Sequence, residues 1–156
     1  MPSVLFVCLG NICRSPMAEG VFQKLVMDAG LGDTIMIDSA GTSHFHEGEA
    51  AHGGTRKILQ EHKIPYDGRS RPLARSDFYT YDYILAMDRS NLANIRSMKP
   101  DDAQPTIKLL LEYAEGVAVD EVPDPYYTGG FQYVYDLVLA GAQGLLATIR
   151  AEHHLA

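Results

Sequence analysis

The sequence predicts an α/β protein with one domain, in which a four-stranded parallel sheet is flanked by helices. Short apolar runs alternate with segments whose apolar residues recur at helical spacing, a pattern typical of parallel β-α-β units. A length of 156 residues with 46% hydrophobic residues suits a single core, so residues 1–156 are expected to form one domain. No internal repeat or low-complexity tract divides the chain.

The first strand and the first helix are predicted from the amino-terminal thirty residues. The apolar run at residues 3–8 is predicted to be a strand. Residues 16–29 place apolar side chains on one helical face, with Ser15 in position to cap the helix and Pro16 at its first position. Gly30 is a suitable residue to end the helix.

The rest of the chain repeats this alternation of strands and helices. Gly141 and Gly144 weaken the prediction of the last helix, because a glycine inside a helix costs about 1 kcal/mol relative to alanine. Its apolar residues nevertheless keep helical spacing, so one long closing helix is expected. The elements predicted after the first helix are a strand at 35–37, a helix at 49–62, a strand at 83–87, a helix at 89–98, a strand at 106–110 and a helix at 131–153.

Reactive or polar residues follow three of the predicted strands. Cys8 ends the first, Ser39 follows the second and Asp88 follows the third. Because the carboxyl ends of parallel strands meet at one edge of a sheet, where ligands bind, these residues are expected to converge on one crevice.

The segment CLGNICRS at residues 8–15 joins the first strand to the first helix. Backbone N–H groups of a tight loop at a helix start can converge on an oxyanion, and a guanidinium adds a two-pronged donor. Gly10 and Asn11 tolerate the left-handed backbone that such a loop needs. The same positive field favours a thiolate, so Cys8 is predicted to be a nucleophile beside an oxyanion held by Arg14. The alternative is a buried cysteine in an ordinary turn.

The spacing C-x5-R followed by serine, with Asp124-Pro125-Tyr126-Tyr127 far downstream, resembles the low-molecular-weight protein tyrosine phosphatases. The likeness covers nearly the whole chain and includes the segment SAGTS at residues 39–43. The resemblance implies a flavodoxin-like fold. It also implies hydrolysis of phosphotyrosine and small aryl phosphates through a cysteinyl-phosphate intermediate, with no metal and no other cofactor.

The resemblance implies a role for each residue of the two motifs. Cys8 would attack phosphorus, Arg14 would clamp the phosphate, and Asp124 would protonate the departing phenolate and later act as a general base. Ser15 would assist the thiolate as it leaves, or it would only cap the helix. Ser39 would brace the loop together with Asn11. The other predicted phosphate contacts are the loop residues Leu9, Gly10, Asn11, Ile12 and Cys13.

Aromatic residues are expected to form the walls of a slot for the substrate ring. The resemblance places Tyr126 in one wall and Phe45 in the other, where tryptophan is frequent in the family; the alternative for Phe45 is a core position. Adjacent rings of an extended chain point in different directions, so Tyr127 is expected to be more exposed. Both tyrosines are candidate phosphorylation targets.

The chain contains two cysteines, both in the loop, so no disulfide framework is expected and a reducing cytoplasm is the natural setting for a thiolate. Cys13 is either a small packing residue or a redox partner that traps oxidised Cys8 as a disulfide. The six histidines show no spacing typical of a metal site, so none is predicted.

A net charge of −7 argues against nucleic acid or an anionic membrane as a partner. No apolar run reaches the roughly 18–20 residues of a membrane span. The expected partners are phosphotyrosine-containing proteins, with phosphate and other oxyanions as inhibitors. The protein is expected to be a monomer, with weak self-association left open. The acidic surface should disfavour strongly acidic substrates unless the fold gathers basic residues into a patch.

Two other functions compete with a phosphatase. An arsenate reductase of the same fold also uses an oxyanion loop, but its thiol relay needs further cysteines and none follows residue 13. A phosphotyrosine-binding module without catalysis has no need of a nucleophilic cysteine paired with an acid. Asp124 and Ser15 therefore count against that alternative.

Overall fold

A computed structural model describes all residues from Met1 to Ala156. Four parallel strands form one sheet in the order β2-β1-β3-β4. The direction in which strands are added reverses beside β1, so a crevice is expected at the carboxyl ends of β1 and β3. The strands are β1 (Ser3–Cys8), β2 (Met36–Gly41), β3 (Tyr83–Ala86) and β4 (Thr106–Leu109).

Helices cover both faces of the sheet. They are α1 (Arg14–Asp28), α2 (Gly53–Glu61), α3 (Asp77–Thr80), α4 (Arg89–Met98), α5 (Pro125–Thr128) and α6 (Phe131–Glu152), with a 3₁₀ turn at Leu110–Tyr113. Helices α1, α2 and α6 pack against one face, whereas α3 and α4 pack against the other. None of these helices has the length and apolarity needed to cross a membrane.

Strand β1 supplies side chains to both layers of the core. Val4, Phe6 and Cys8 face the layer of α1 and α6, and Leu5 and Val7 face the layer of α4. This alternation is the period of two expected for a strand. Because β1 is buried on both faces, it reads in the sequence as a continuous apolar run.

The prediction of the first helix was wrong at its start. The helix begins at Arg14, with Cys13 in the N-cap position, and no side chain caps it. Ser15 therefore lies inside the first turn, where its hydroxyl faces Cys8 rather than the free amides of the helix. The end is as expected, because the chain turns at Gly30, whose φ is 76°.

The second strand and second helix also differ from prediction. Strand β2 runs through Asp38 and Ser39 to Gly41, because its partner β1 extends that far and pairing does not require apolar side chains. Helix α2 begins at Gly53 and not at residue 49, since the ring of His52 caps it by accepting a 3.0 Å hydrogen bond from the Gly54 amide. The prediction that Ser39 follows the strand was wrong by two residues.

The remaining strands and the helices α4 and α6 agree with the prediction to within one residue at each end, and the short helices were missed. Helices α3 and α5 and the 3₁₀ turn are each four residues long, too short to show periodicity. The two glycines of α6 have a packing reason. A Cβ atom at Gly144 would overlap the carbonyl oxygen of Tyr113, and one at Gly141 would crowd Leu110, so these glycines let the 3₁₀ turn lie directly on α6.

Candidate active site

The loop at residues 9–13 connects β1 to α1 and directs its amides inward. The N–H groups of residues 9–15 donate no hydrogen bond to any atom of the protein. The carbonyls of residues 8, 9, 10, 12 and 13 accept bonds of 2.7–3.0 Å from groups outside the loop. The donors are the amides of Thr42, Ser43 and His52 and the hydroxyls of Ser70 and Thr55. A run of free amides with outward carbonyls is the arrangement of an oxyanion site.

Asn11 supports this loop from behind. It has a φ of 55°, a left-handed conformation that asparagine tolerates better than most residues. Its side-chain amide donates to the hydroxyls of Ser15 at 2.8 Å and Ser39 at 3.0 Å. Its side-chain oxygen accepts from the amide of Arg71 at 3.0 Å. The three bonds fix the turn on which the direction of the neighbouring amides depends.

Cys8 ends β1 at the base of the loop. Its Sγ lies 3.0 Å from the hydroxyl of Ser15. Because the Ser15 oxygen already accepts a hydrogen bond from Asn11, the Ser15 hydroxyl is free to donate a hydrogen bond to the sulfur. A hydroxyl that donates to sulfur stabilises a thiolate there.

Arg14 is buried beside Cys8, and its hydrogen bonds within the protein are made by Nη1. Its Nη1 donates to Asp88 at 2.6 Å and to the carbonyl of Val122 at 3.0 Å. Its Nε is buried and has no partner within the protein, which leaves this donor for an oxyanion. Burial alone lowers the pKa of Arg14, but the charge of Cys8 and the bond to Asp88 outweigh burial and raise the pKa above its ordinary value.

Asp124 faces Arg14 from the other side of the crevice. Its Oδ1 caps α5 by accepting a 3.0 Å bond from the amide of Tyr126. Its Oδ2 lies 3.5 Å from Nη2 of Arg14. The cap fixes one carboxylate oxygen and leaves the other directed into the crevice.

These groups share one cavity of about 380 Å³. The cavity is walled by Phe45, Tyr126 and Tyr127, which are 85%, 44% and 81% exposed, so Phe45 is not a core residue. The rings of Tyr126 and Tyr127 are nearly perpendicular, with centroids 4.9 Å apart. The predicted site residues at the cavity are Cys8, Leu9, Gly10, Ile12, Cys13, Arg14, Phe45, Asp124, Tyr126 and Tyr127, whereas Asn11, Ser15 and Ser39 lie behind it.

Sequence reasoning missed a buried polar group beneath the loop. Glu19, on the inner side of α1, accepts hydrogen bonds from Ser39 at 2.6 Å and from Tyr66 at 2.8 Å. Burial raises the pKa of the Glu19 carboxyl, although these two bonds oppose the rise. A glutamate between the buried Met17 and Val21 was the available signal, since a charged residue is rarely buried without partners.

Cys13 lines the cavity although the residue as a whole is buried. Burial, together with the negative charges of Cys8 and Asp124, raises the pKa of its thiol to about 12. The Cys13 sulfur therefore stays protonated at neutral pH.

The sequence analysis also missed Ser43 and His46, which line the cavity. Their positions on either side of Phe45, a predicted wall residue, could have indicated them.

Known proteins share both the sequence and this architecture. The family model of the low molecular weight phosphotyrosine protein phosphatases matches residues 3–155. A Bacillus subtilis protein named low molecular weight protein-tyrosine-phosphatase YfkJ is 47% identical over 99% of this chain and 100% of its own. The Staphylococcus aureus phosphatase PtpA is 45% identical over 99% of this chain and 98% of its own.

Solved structures agree with these sequence matches. The crystal structure of YfkJ superposes with a TM-score of 0.93 over 97% of this chain and 96% of that one. A protein tyrosine phosphatase from Entamoeba histolytica, 37% identical, superposes with a TM-score of 0.92 over the whole of both chains. A match over nearly the full length in sequence and in structure leaves one conclusion: this chain belongs to the low molecular weight phosphotyrosine protein phosphatase family.

Proposed function

We propose that the protein is a protein tyrosine phosphatase that works through a cysteinyl-phosphate intermediate. The observation that carries this proposal is the set of seven free amides at residues 9–15, together with the unpaired Nε of Arg14, in the loop that lines one cavity with Cys8. Donors fixed in this way stabilise the charge of a transferring phosphoryl group without reorganisation. Family membership supports the same activity.

In the first step the Cys8 thiolate attacks phosphorus and the bond from phosphorus to the tyrosine oxygen breaks. Arg14 and the loop amides hold the three equatorial oxygens of the phosphoryl group. The protonated carboxyl of Asp124 gives its proton to the departing phenolate, which leaves as neutral tyrosine. General acid catalysis of this kind contributes typically about 10²–10⁴-fold.

In the second step a water molecule attacks phosphorus and the bond from phosphorus to sulfur breaks. The Asp124 carboxylate takes a proton from that water, and the Ser15 hydroxyl stabilises the thiolate that leaves. Phosphate is released and both catalytic groups return to their starting state. Each step uses only groups of this chain and water.

The aromatic walls support a phosphorylated aryl group as substrate. Phe45 and Tyr126 would contact the faces of a tyrosine ring in the cavity, and Tyr127 would cover its entrance. Phosphotyrosine-containing proteins are the partners that fit, with free phosphate as a competing ligand of the loop. We further propose a monomer that acts in a reducing compartment, since Cys8 must stay reduced to attack phosphorus.

The decisive experiment measures hydrolysis of an aryl phosphate in the presence of a chelator, with reduction of arsenate measured beside it. The expected result is phosphatase activity without arsenate reduction, and loss of the phosphatase activity in Cys8→Ser, since a hydroxyl supplies almost no nucleophile near neutral pH. A folded Cys8→Ser protein with substantial activity would contradict the mechanism. Binding of phosphotyrosine without turnover by the intact protein would favour the binding module instead.

A further inference from the structure

A second groove opens beside the catalytic cavity, and it is basic in a chain whose net charge is −7. Arg56 and Arg69 line this groove, whereas neither lines the catalytic cavity. The two depressions share Ile12, His46 and Tyr126. The Tyr126 ring, whose centroid lies 5.8 Å from that of His46, therefore stands on the rim between them.

Both arginines contact the backbone of the segment that precedes α2. Arg56 lies in the first turns of α2, and its Nε donates to the carbonyl of Ala51 at 2.9 Å. Arg69 pairs with Ala50 in an isolated antiparallel bridge, and its Nη1 reaches the carbonyl of Gly48 at 3.4 Å. The bond from Nε of Arg56 restricts that side chain, so its guanidinium loses less conformational entropy when it binds a carboxylate.

No carboxylate of the chain lies within ion-pair distance of either guanidinium. The groove contains one acidic residue, Glu49, whose carboxylate contacts the ring of His46 at 3.0 Å. By contrast, Arg89, which lines neither depression, pairs with Asp120 and Glu121. The two groove arginines thus keep their charge free of ion pairs within the chain.

We propose that Arg56 and Arg69 are specificity-determining residues that bind an acidic side chain flanking the phosphotyrosine of the substrate. An extended residue spans about 3.3–3.6 Å, so side chains one to three positions from the phosphotyrosine reach roughly 10 Å from it, as far as the neighbouring groove. A carboxylate is the group that complements two guanidiniums without ion-pair partners. This inference rests on the proposed phosphatase activity.

The test compares two phosphotyrosine peptides that differ only in glutamate or glutamine at the positions flanking the phosphotyrosine. Exposed ion pairs are individually weak, so we expect the wild type to favour the glutamate peptide about threefold to tenfold in kcat/KM, mainly through KM. In Arg56→Gln/Arg69→Gln this ratio should fall to about one. The matched control is Arg75→Gln/Arg96→Gln, which removes the same charge from exposed arginines outside both depressions and should keep the wild-type ratio.

Three outcomes would overturn the proposal: a wild-type ratio of one, an unchanged ratio in the groove variant, or an equal loss in the control variant. Hydrolysis of a small aryl phosphate, measured for every protein, separates this proposal from the proposed function. If the small substrate is hydrolysed and the peptide ratio is one, only the groove proposal fails. If the wild type hydrolyses neither kind of substrate, the phosphatase function fails and the groove proposal fails with it.

Discussion

At the scale of single residues, the site depends on how each side chain divides its hydrogen-bonding groups. Arg14 uses Nη1 for Asp88 and Val122 and keeps Nε free. Asp124 uses one oxygen as a helix cap and directs the other toward Arg14. In both residues one group fixes the orientation while another remains available to a substrate.

Because one oxygen of Asp124 caps α5 and the other faces the crevice, its role as an acid can be tested separately from its role as a cap. The variant Asp124→Asn keeps a side-chain oxygen that can cap α5, so the local structure should persist while the acidic proton is lost. We expect kcat to fall by about 10²-fold or more for aryl phosphates with poor leaving groups, and far less for activated ones, since only the former need the proton. The measurement is a leaving-group series, with the exposed Asp120→Asn as control. Equal slowing across the series would remove Asp124 from this role.

Cys13 allows a second test at this scale. Peroxide should oxidise the Cys8 thiolate to a sulfenic acid, and the Cys13 thiol would then displace water from that sulfur to form a disulfide. We expect peroxide to inactivate the wild type reversibly, phosphate to protect it, and Cys13→Ser to stay active but to recover poorly with dithiothreitol. Because the pKa of Cys13 is raised to about 12, the bridge should form faster as the pH rises. Equal recovery of the two proteins would reduce Cys13 to a packing residue.

At the scale of elements, buried polar contacts of α1 join the loop at residues 9–13 to the sheet. Glu19 binds Ser39 of β2, and Ser39 in turn accepts a bond from Asn11 of the loop. Tyr66, in the segment that follows α2, binds the same carboxylate oxygen of Glu19. One helix, one strand and two connecting segments therefore meet at a single buried carboxyl group, whose ionisation influences the stability of all of them.

The raised pKa of Glu19 predicts a dependence of stability on pH. The folded protein binds the Glu19 proton more tightly than the unfolded chain does, so this group stabilises the fold most at and below its ordinary pKa of 4.5. That contribution is lost as the pH rises from 4.5 through the raised folded pKa. Glu19→Gln keeps an acceptor for Ser39 and Tyr66 but cannot ionise.

The free energy of unfolding of the wild type, measured relative to Glu19→Gln by urea titration between about pH 4 and pH 8, should therefore decline as the pH rises. The exposed Glu61→Gln is the matched control and should show no such trend. A difference between wild type and Glu19→Gln that is constant with pH would mean that the carboxyl group is not held in its protonated form.

At the scale of the whole molecule, two core layers share one central strand. Alternate residues of β1 and β3 enter the two layers, so neither layer can lose its packing without disturbing the other.

The charge on the surface is unevenly distributed. The chain is acidic as a whole, but Arg56 and Arg69 both line the groove beside the cavity. The expectation that acidic substrates are disfavoured stays a prediction for the surface as a whole, and the groove proposal makes a local exception to it.

The shared strand predicts one cooperative unfolding transition. Thermal unfolding followed by far-ultraviolet circular dichroism and by the near-ultraviolet signal of the tyrosines should give coincident curves, as expected of a single domain of this size. Two transitions at different temperatures would mean that the layers unfold separately and that residues 1–156 do not behave as one domain.

The sequence by itself was enough to predict the α/β class, the parallel sheet and the meeting of Cys8, Arg14 and Asp124 at one site. These features are encoded locally: strands and long helices leave apolar periodicity over about ten residues, and the loop motif occupies consecutive positions. Short helices such as α3 and α5 were not predicted, because four residues form barely one turn and cannot show a helical period.

Only the tertiary structure decided which residues orient those groups. Arg14 is oriented by Asp88 and by the carbonyl of Val122, which are 74 and 108 positions away in the sequence. The Glu19 contacts with Ser39 and Tyr66, and the basic groove of Arg56 and Arg69, likewise arise where separate segments meet. Such contacts leave no periodic pattern in the sequence, because they depend on how elements pack and not on the spacing of residues within one element.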